Sequence, residues 1–430
     1  MIAVIDGRGR DISWIKNKID RRFQLDSEKE RQLVNKILDD VKSRGDQALI
    51  EYTDKFDGVL YESPDEMVVS RDDIREAYEA VESGYIDIIR KAKDMIWRFH
   101  TKQLENSWML YEDNGVILGQ RVLPIERVGV YAPGGRAAYP SSVLMNVIPA
   151  KVAGVPDIVL ASPPDRGKKL NPYTLVAACE AGCDKIYKIG GAQAIAAMAF
   201  GTPTVPKVDK IVGPGNIYVT LAKKEVYGFV DIDMTAGPSE IMVLADSCAN
   251  PAFVAADLMS QAEHDPLASA VLVTDSFDLV SDVLEEIRKQ IQTLSTRSTI
   301  EEALNNYGAL IVVDSIEKAV DIANYFSPEH LELAVQNPFE IVGRIKNAGS
   351  IFLGHYTPEP VGDYMAGPNH VLPTGGTARF FSPLGVYDFI KRSNVIFYTE
   401  KALKAIGKEI VEFANKEGLT AHANSVKVRF

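Results

Sequence analysis

From residue 122 the chain falls into an alternation that few folds satisfy. LPIERVGVYAPGG is a short apolar run ending in a Gly-Pro turn; SSVLMNVIPAKVAGV follows with a helical pattern, and DIVLASPP is a second apolar run. NPYTLVAACEAG, KIYKIGG, AQAIAAMAFG and KIVGPGN continue as helix, strand, helix, and strand with its loop. Strands separated by helices pair in parallel, so this rhythm predicts an open, mostly parallel sheet. A second set begins near residue 239. EIMVLAD and SAVLVTD flank a helix, and GALIVVD and GSIFLG follow with the helical SIEKAVDIANYF between them. Two α/β units are therefore expected. The letters show no repeat, so any duplication would be old.

The 430 residues suit two or three domains. Residues 1–110 carry mainly helix signals. SEKERQLVNKILDDVKSRGDQALIEYTDKFDG spaces apolar residues at helical intervals, with breaks at Gly45 and Gly58. RDDIREAYEAV and YIDIIRKAKDMIWRFHTKQL continue the pattern, and His100 in the latter reads as structural. After FSPLGVYDF the chain reads as a small helical tail ending in a short strand, SVKVRF.

Composition excludes several roles. The formal net charge is −12 and no basic block stands out, which argues against a nucleic-acid partner. Three cysteines, an odd number, do not make a disulfide framework. Cys179 and Cys183 read as small buried residues one helical turn apart. No apolar run approaches the ~20 residues of a membrane span. The N-terminus has no signal-peptide pattern, so a cytoplasmic protein is expected.

The candidate chemistry gathers around few residues. DLMSQAEHDP reads as a helix end, with Asn250 as cap, Pro251 in the first turn and Pro266 as stop. Gln261 and His264, three apart, would share a face. A metal there needs further ligands, and Asp363 in EPVGDY and His422 in LTAHA are chemically suitable. Imidazole nitrogen and carboxylate oxygen suit zinc, and a Gln oxygen is a less usual ligand. Counting residues cannot link positions so far apart, and a packed or surface histidine fits the same letters. Glu329 and His330 in SPEHLEL are either an acid/base pair at an element's end or a capped helix start with Glu near the positive dipole end. YAPGGR (131–136), IGGAQA (189–194) and VGPGNIY (212–218) let a backbone approach a phosphate, yet they equally serve tight strand-to-helix turns. G-x-G-x-x-G is absent, because Tyr218 stands where the third glycine of GPGNIY would fall.

Taken together these segments resemble the histidinol dehydrogenase family. GVYAPGGRAAYPSSVLMNVIPAKVAGV, IGGAQAIAAMAFGT, KIVGPGNIYV, DMTAGPSEIMVLAD, DLMSQAEHDP, SPEHLEL, PEPVGDYMAGPNHVLPTGG and EGLTAHANSVKVR carry the resemblance, over about residues 120–430. It implies an α/β fold of two incomplete Rossmann-like, doubly wound, mostly parallel domains, with N-terminal helices and a small C-terminal helical tail. The expected division is an N-terminal segment at 1–25, a main domain of 26–130 plus 237–380 with zinc and catalytic residues, a nucleotide-contacting domain at 131–236, and a tail at 381–430. The implied activity is zinc-dependent, NAD-linked oxidation of L-histidinol to L-histidine through L-histidinal, in a homodimer whose tail crosses to the partner and whose active sites are shared.

Carried over residue by residue, the resemblance implies zinc ligands at Gln261, His264, Asp363 and His422, and a catalytic pair at Glu329 and His330. Ser239, His370 and Glu417 would line the substrate pocket beside His330 and the zinc ligands. Tyr131, Gln193 and Asn216 would contact the nucleotide. His355 matches no family site and reads as structural. His330 is the natural base, since a histidine titrates near neutrality. Glu329 would activate the water that hydrates the aldehyde. Zinc would orient the substrate through its amino and imidazole nitrogens, and Glu417 would pair with an N–H-bearing part of it. The missing glycine fingerprint predicts modest nucleotide affinity. Two other readings compete: an oxidoreductase for other small alcohols such as sulfonated propanediols, and a non-enzymatic metal- or nucleotide-binding regulator. EGLTAH and GPNHVLPT favour histidinol over the first, and the Glu-His pair argues against the second.

Overall fold

The computed structural model describes residues 2–19, 28–134, 139–235 and 237–430. Gly135 and Arg136 of the first glycine loop, and residues 20–25 of the expected N-terminal segment, lie outside the described residues.

Among the described residues fourteen strands form three sheets. In chain order they are β1 (Ala3–Asp6), β2 (Trp108–Tyr111), β3 (Ile117–Pro124), β4 (Arg127–Tyr131), β5 (Asp157–Ser162), β6 (Lys185–Lys188), β7 (Lys210–Val212), β8 (Asp231–Ile232), β9 (Glu240–Ala245), β10 (Ser269–Thr274), β11 (Ala309–Val312), β12 (His330–Ala334), β13 (Ser350–Leu353) and β14 (Ile390–Phe397). Both α/β units read from the alternation are present. One is a parallel sheet of five strands in the order β6-β5-β4-β7-β8, and the other a parallel sheet of six in the order β1-β11-β10-β9-β12-β13. Every residue of β9, β11 and β12 is buried, as strands covered on both faces must be.

Strand order fixes where a site can form. In the five-stranded sheet the chain winds from β4 toward β6, then returns to β7 on the other side. In the six-stranded sheet it winds from β9 toward β11, then returns to β12. Each sheet thus has a switch point, between β4 and β7 and between β9 and β12, where loops diverge and leave a crevice. The N-terminal helices behave as their spacing predicts. Glu28–Arg44 and Asp46–Asp57 are separated at Gly45, and Gly58 closes the second in the left-handed region. Their apolar faces, with Val34, Ile37, Leu49 and Tyr52, join the core of the five-stranded layer beside Ile195 and Ile211. Helices Arg71–Ala80 and Ser83–His100 pack on that layer's other face.

Four readings are corrected. SVKVRF is no strand: Thr420–Lys427 is a helix packed on the helix Glu400–Lys416, and six alternating residues with no strand paired to them cannot hold a strand by themselves. A third sheet, antiparallel β14-β3-β2, went unread: the apolar run Trp108–Tyr111 of β2 is only four residues long, follows helical signals and is exposed throughout. Cys179 and Cys183 do not share a helix. Pro172–Ala181 ends at Gly182, whose φ of 89° turns the chain, although burial holds both thiols protonated as inert packing groups. The helix Pro251–Ala262 stops before His264, so Gln261 and His264 do not share a helix face. His264 N–H reaches back to the Gln261 carbonyl at 3.3 Å in the closing turn.

Candidate functional site

The catalytic candidates sit where β9 and β12 begin. SPEHLEL is neither turn nor helix start: His330 opens β12, paired with Ile241 of β9 and Ser350 of β13. Glu329 precedes it and Ser239 precedes β9, so both fall at the amino edge of the sheet. The backbone of Glu240 locks the pair. Its N–H donates to Glu329 Oε2 at 2.8 Å, and its carbonyl lies 3.0 Å from His330 Nδ1. A carbonyl only accepts, so Nδ1 carries the proton and Nε2 presents a lone pair. Gly349 stands where any side chain would collide, since a Cβ there would lie 2.5 Å from the Glu329 carbonyl.

Around His330 carboxyl groups crowd. Nε2 lies 3.8 Å from Glu359 Oε1, and Glu329 Oε2 is 3.7 Å from Nδ1. His330, Glu359 and Asp363 bring one ligand atom each within 4.8 Å of one another. Asp363 Oδ1 lies 3.6 Å from His370 Nδ1, which also faces the Asp363 carbonyl at 3.2 Å. Burial drives the protonation states. It pushes Glu329 well above the usual carboxylate range and Glu359 up to about 9, with neighbouring carboxylates adding to both. It pulls His330 down to about 4 and lowers His370. His330 is therefore neutral over the whole physiological range, and its fitness as a base rests on the free Nε2 lone pair rather than on a near-neutral titration.

These residues fit a bound cation. Gln261, at the end of its helix, is fully buried, and neither its Oε1 nor its Nε2 has a partner. Glu359 Oε1 is likewise buried without a hydrogen-bond partner. Such atoms carry a desolvation cost that a cation and its ligands would offset. The imidazole and carboxylate donors suit zinc. His264 is exposed beside this cluster, close enough for its charge to oppose protonation of His330 and His370. Asp363 and His370 are in the cluster; Glu417, in the turn after the helix Glu400–Lys416, and His422, on the helix Thr420–Lys427, are exposed, and neither joins the group of His330, Glu359 and Asp363. Glu359 was missed in the sequence. Its signal was the spacing Glu359–Asp363, four apart and so on one face of the helix Glu359–Tyr364. His100 is buried against Gln103 Oε1 at 2.8 Å, a structural residue as read. His355 lines a hollow with Asp257 and Glu332.

The nucleotide candidates lie on the other sheet, at its carboxyl end. Tyr131 ends β4, and its phenol oxygen accepts the Gly191 N–H at 3.0 Å. Gly191 opens the helix Gly191–Phe200, whose N-terminus has no side-chain cap. Gln193 in its first turn is 1% exposed, with both amide atoms unpartnered. Asn216 caps the helix Ile217–Val226, accepting from Tyr218 and Val219 N–H at 3.1 Å each. The β7 loop passes so close to β4 that a Cβ at Gly213, with φ of 112°, would lie 2.1 Å from the Tyr131 carbonyl. A buried Lys223–Asp233 pair clamps that loop: Asp233 Oδ2 accepts Gly213 N–H at 2.8 Å, and Lys223 Nζ donates to its carbonyl at 2.9 Å.

Comparison with known proteins gives one answer along the whole chain. The family model described as histidinol dehydrogenase matches residues 20–430. A histidinol dehydrogenase of Clostridium acetobutylicum is 59% identical over 92% of this chain and 91% of the relative. One from Caldanaerobacter subterraneus subsp. tengcongensis is 54% identical over 100% of this chain and 99% of the relative. The crystal structure of histidinol dehydrogenase from Elizabethkingia anophelis superposes with a TM-score of 0.94 at 41% identity, covering 100% of this chain and 98% of that one.

Proposed function

The chain belongs to the histidinol dehydrogenase family, an enzyme of histidine biosynthesis, and from that premise we propose how its residues divide the work. The substrate is L-histidinol, oxidised twice, through L-histidinal to L-histidine. When bound, NAD supplies the hydride acceptor for both oxidations and zinc a Lewis-acidic anchor for the substrate's nitrogens. Gln261, His264, Asp363 and His422 would hold the zinc, with Glu359 beside them. The observation that carries the reading is the His330 tautomer, because the Glu240 carbonyl fixes the proton on Nδ1 and leaves Nε2 to act.

In the first oxidation His330 Nε2 takes the hydroxyl proton while the carbon-bound hydrogen leaves as hydride. In the second, water adds to the aldehyde. Glu329 takes a proton from that water, and the hydrate then loses a second hydride and its remaining hydroxyl proton to give the carboxylate. That role needs Glu329 ionised, against the pull of burial. The Glu240 N–H on its Oε2 favours the ionised form, as does any cation held beside it. Ser239, His370 and Glu417 complete the substrate pocket, and Tyr131, Gln193 and Asn216 bind the nucleotide.

Two of these residues, Glu417 and His422, belong to the tail. We infer that a partner subunit's tail supplies them, in a homodimer with shared sites. The exposed apolar side chains Phe413, Leu419, Val428 and Phe430 on the tail helices, and Trp108, Leu110 and Tyr111 on β2, support a covered surface there. The division into units is likewise proposed, with 237–380 catalytic, 131–236 nucleotide-binding and 381–430 exchanged. Helices of 26–130, expected with the catalytic unit, pack on the nucleotide-binding layer. No helix among the described residues is long and apolar enough to cross a membrane.

The test is NADH yield per L-histidinol with zinc present and NAD in excess. Two NADH per substrate is the expected result. One would remove the water-activating role of Glu329, and none would redirect the search to other small alcohols.

A further inference from the structure

The helix Asp46–Asp57 ends in a carboxylate with no structural employment. A helix C-terminus carries partial negative charge and favours cations, not Asp. Asp57 Oδ2 is buried and has no hydrogen-bond partner, and no ion pair reaches Asp57 among the described residues. Burial lifts its proton affinity to about 6. A group so placed is a net cost to the folded chain unless something outside the chain completes it.

Its surroundings are the nucleotide end of the five-stranded layer. The charge of Asp57 reaches the phenols of Tyr61 and Tyr131. The Tyr131 oxygen accepts the Gly191 N–H, which leaves its own proton to donate. Gln193 is buried with an acceptor and a donor unspent, and its Oε1 lies so close to Gly191 that a Cβ there would be 2.7 Å away. The other carboxylates near Tyr61 are already used: Glu66 pairs with Lys168 at 2.6 Å, Asp73 with Lys188 at 3.1 Å, and Asp165 Oδ1 accepts Gly167 and Lys169 N–H at 2.8 and 3.0 Å. The unspent groups are thus an acceptor from Asp57, a donor from Tyr131 and an amide that does both. A vicinal diol, whose hydroxyls each donate and accept, complements that set.

We propose that Asp57 determines dinucleotide specificity, its carboxylate accepting from the ribose diol of NAD and repelling the 2′-phosphate of NADP. This rests on the nucleotide reading of the Tyr131 end. Rossmann folds use an acid on the ribose in the same way, after the glycine fingerprint. Here the acid comes from a helix that precedes the sheet in sequence, which is how the chain manages without G-x-G-x-x-G.

The experiment is calorimetric titration of the zinc-loaded enzyme with NAD and with NADP, for wild type and Asp57→Asn. The expected result is roughly tenfold weaker NAD binding, the size of one lost charge-assisted hydrogen bond, with tighter NADP binding and an unchanged or higher melting temperature. Unchanged affinities for both nucleotides in a folded variant would overturn the proposal. Where Asp57→Asn does not fold, Asp57→Ser takes its place, and failure of both to fold assigns Asp57 a structural role and also overturns it. A wild type that binds neither nucleotide would instead overturn the underlying nucleotide reading.

Discussion

The two parallel sheets carry their candidate residues at opposite ends. The five-stranded sheet offers Tyr131, Gly191 and Asn216 at the carboxyl ends of its strands. The six-stranded sheet offers Ser239, Glu329 and His330 at the amino ends of β9 and β12. Helices run back antiparallel to the strands they connect, so the carboxyl end of a sheet collects helix N-termini and the amino end collects helix C-termini. The first carry partial positive charge and free N–H groups, which suit a pyrophosphate. The second carry partial negative charge, and here they stand with Gln261 and Asp363, beside Glu359 in the first turn of its own helix, a set that suits a cation. On the proposed assignment, one architecture yields an anion site and a cation site by the choice of edge.

If the amino edge does the proton chemistry, His330→Asn should lower kcat by ~10²–10⁴ while zinc stays bound, checked by steady-state rates beside metal content. Loss of zinc along with activity would merge the catalytic and ligand roles. The tail extends the comparison to two chains. Variants His330→Asn and His422→Ala, each inactive alone, should regain about a quarter of wild-type activity when unfolded and refolded together, because half the dimers then hold one intact site. No regain would mean that each chain completes its own site.

At the carboxyl edge the effects should be smaller and confined to the nucleotide. Tyr131→Phe strands the Gly191 N–H and should raise KM for NAD roughly tenfold with zinc content unchanged. The smallest effect concerns stability. Asp57 has an ordinary value of 3.8 and a folded one of about 6, so folded protein holds the proton more tightly. Its stabilising contribution is full below pH 3.8 and lost as pH rises through 6. Asp57→Asn should match wild type in denaturant melts at pH 4 and exceed it by ~1 kcal/mol at pH 8, allowing for partial exposure.

Much of this is legible in the sequence. The apolar runs of β9, β10 and β11 announce strands buried on both faces, and Gly45 and Gly58 mark real breaks. The exposed β2 did not announce itself, because four apolar residues without alternation do not distinguish a strand from the end of the helical segment before them. At the site, residue types pointed to a cation, but distance in sequence hid which residues meet. Glu359 and Asp363 share a helix face by spacing but meet His330 only through the fold, and the Glu240 backbone that sets the His330 tautomer carries no sequence signal at all. Asp57 was hidden for a related reason: an acid at a helix end looks like solvated surface until its burial is known.

The most direct measurement of the two-edge account is zinc per chain by elemental analysis of purified Asp363→Asn and Tyr131→Phe, prepared side by side. The account predicts a value near zero for the first and near one for the second. Equal zinc in the two, whether both full or both depleted, would contradict the assignment of cation and nucleotide to opposite ends of the two sheets.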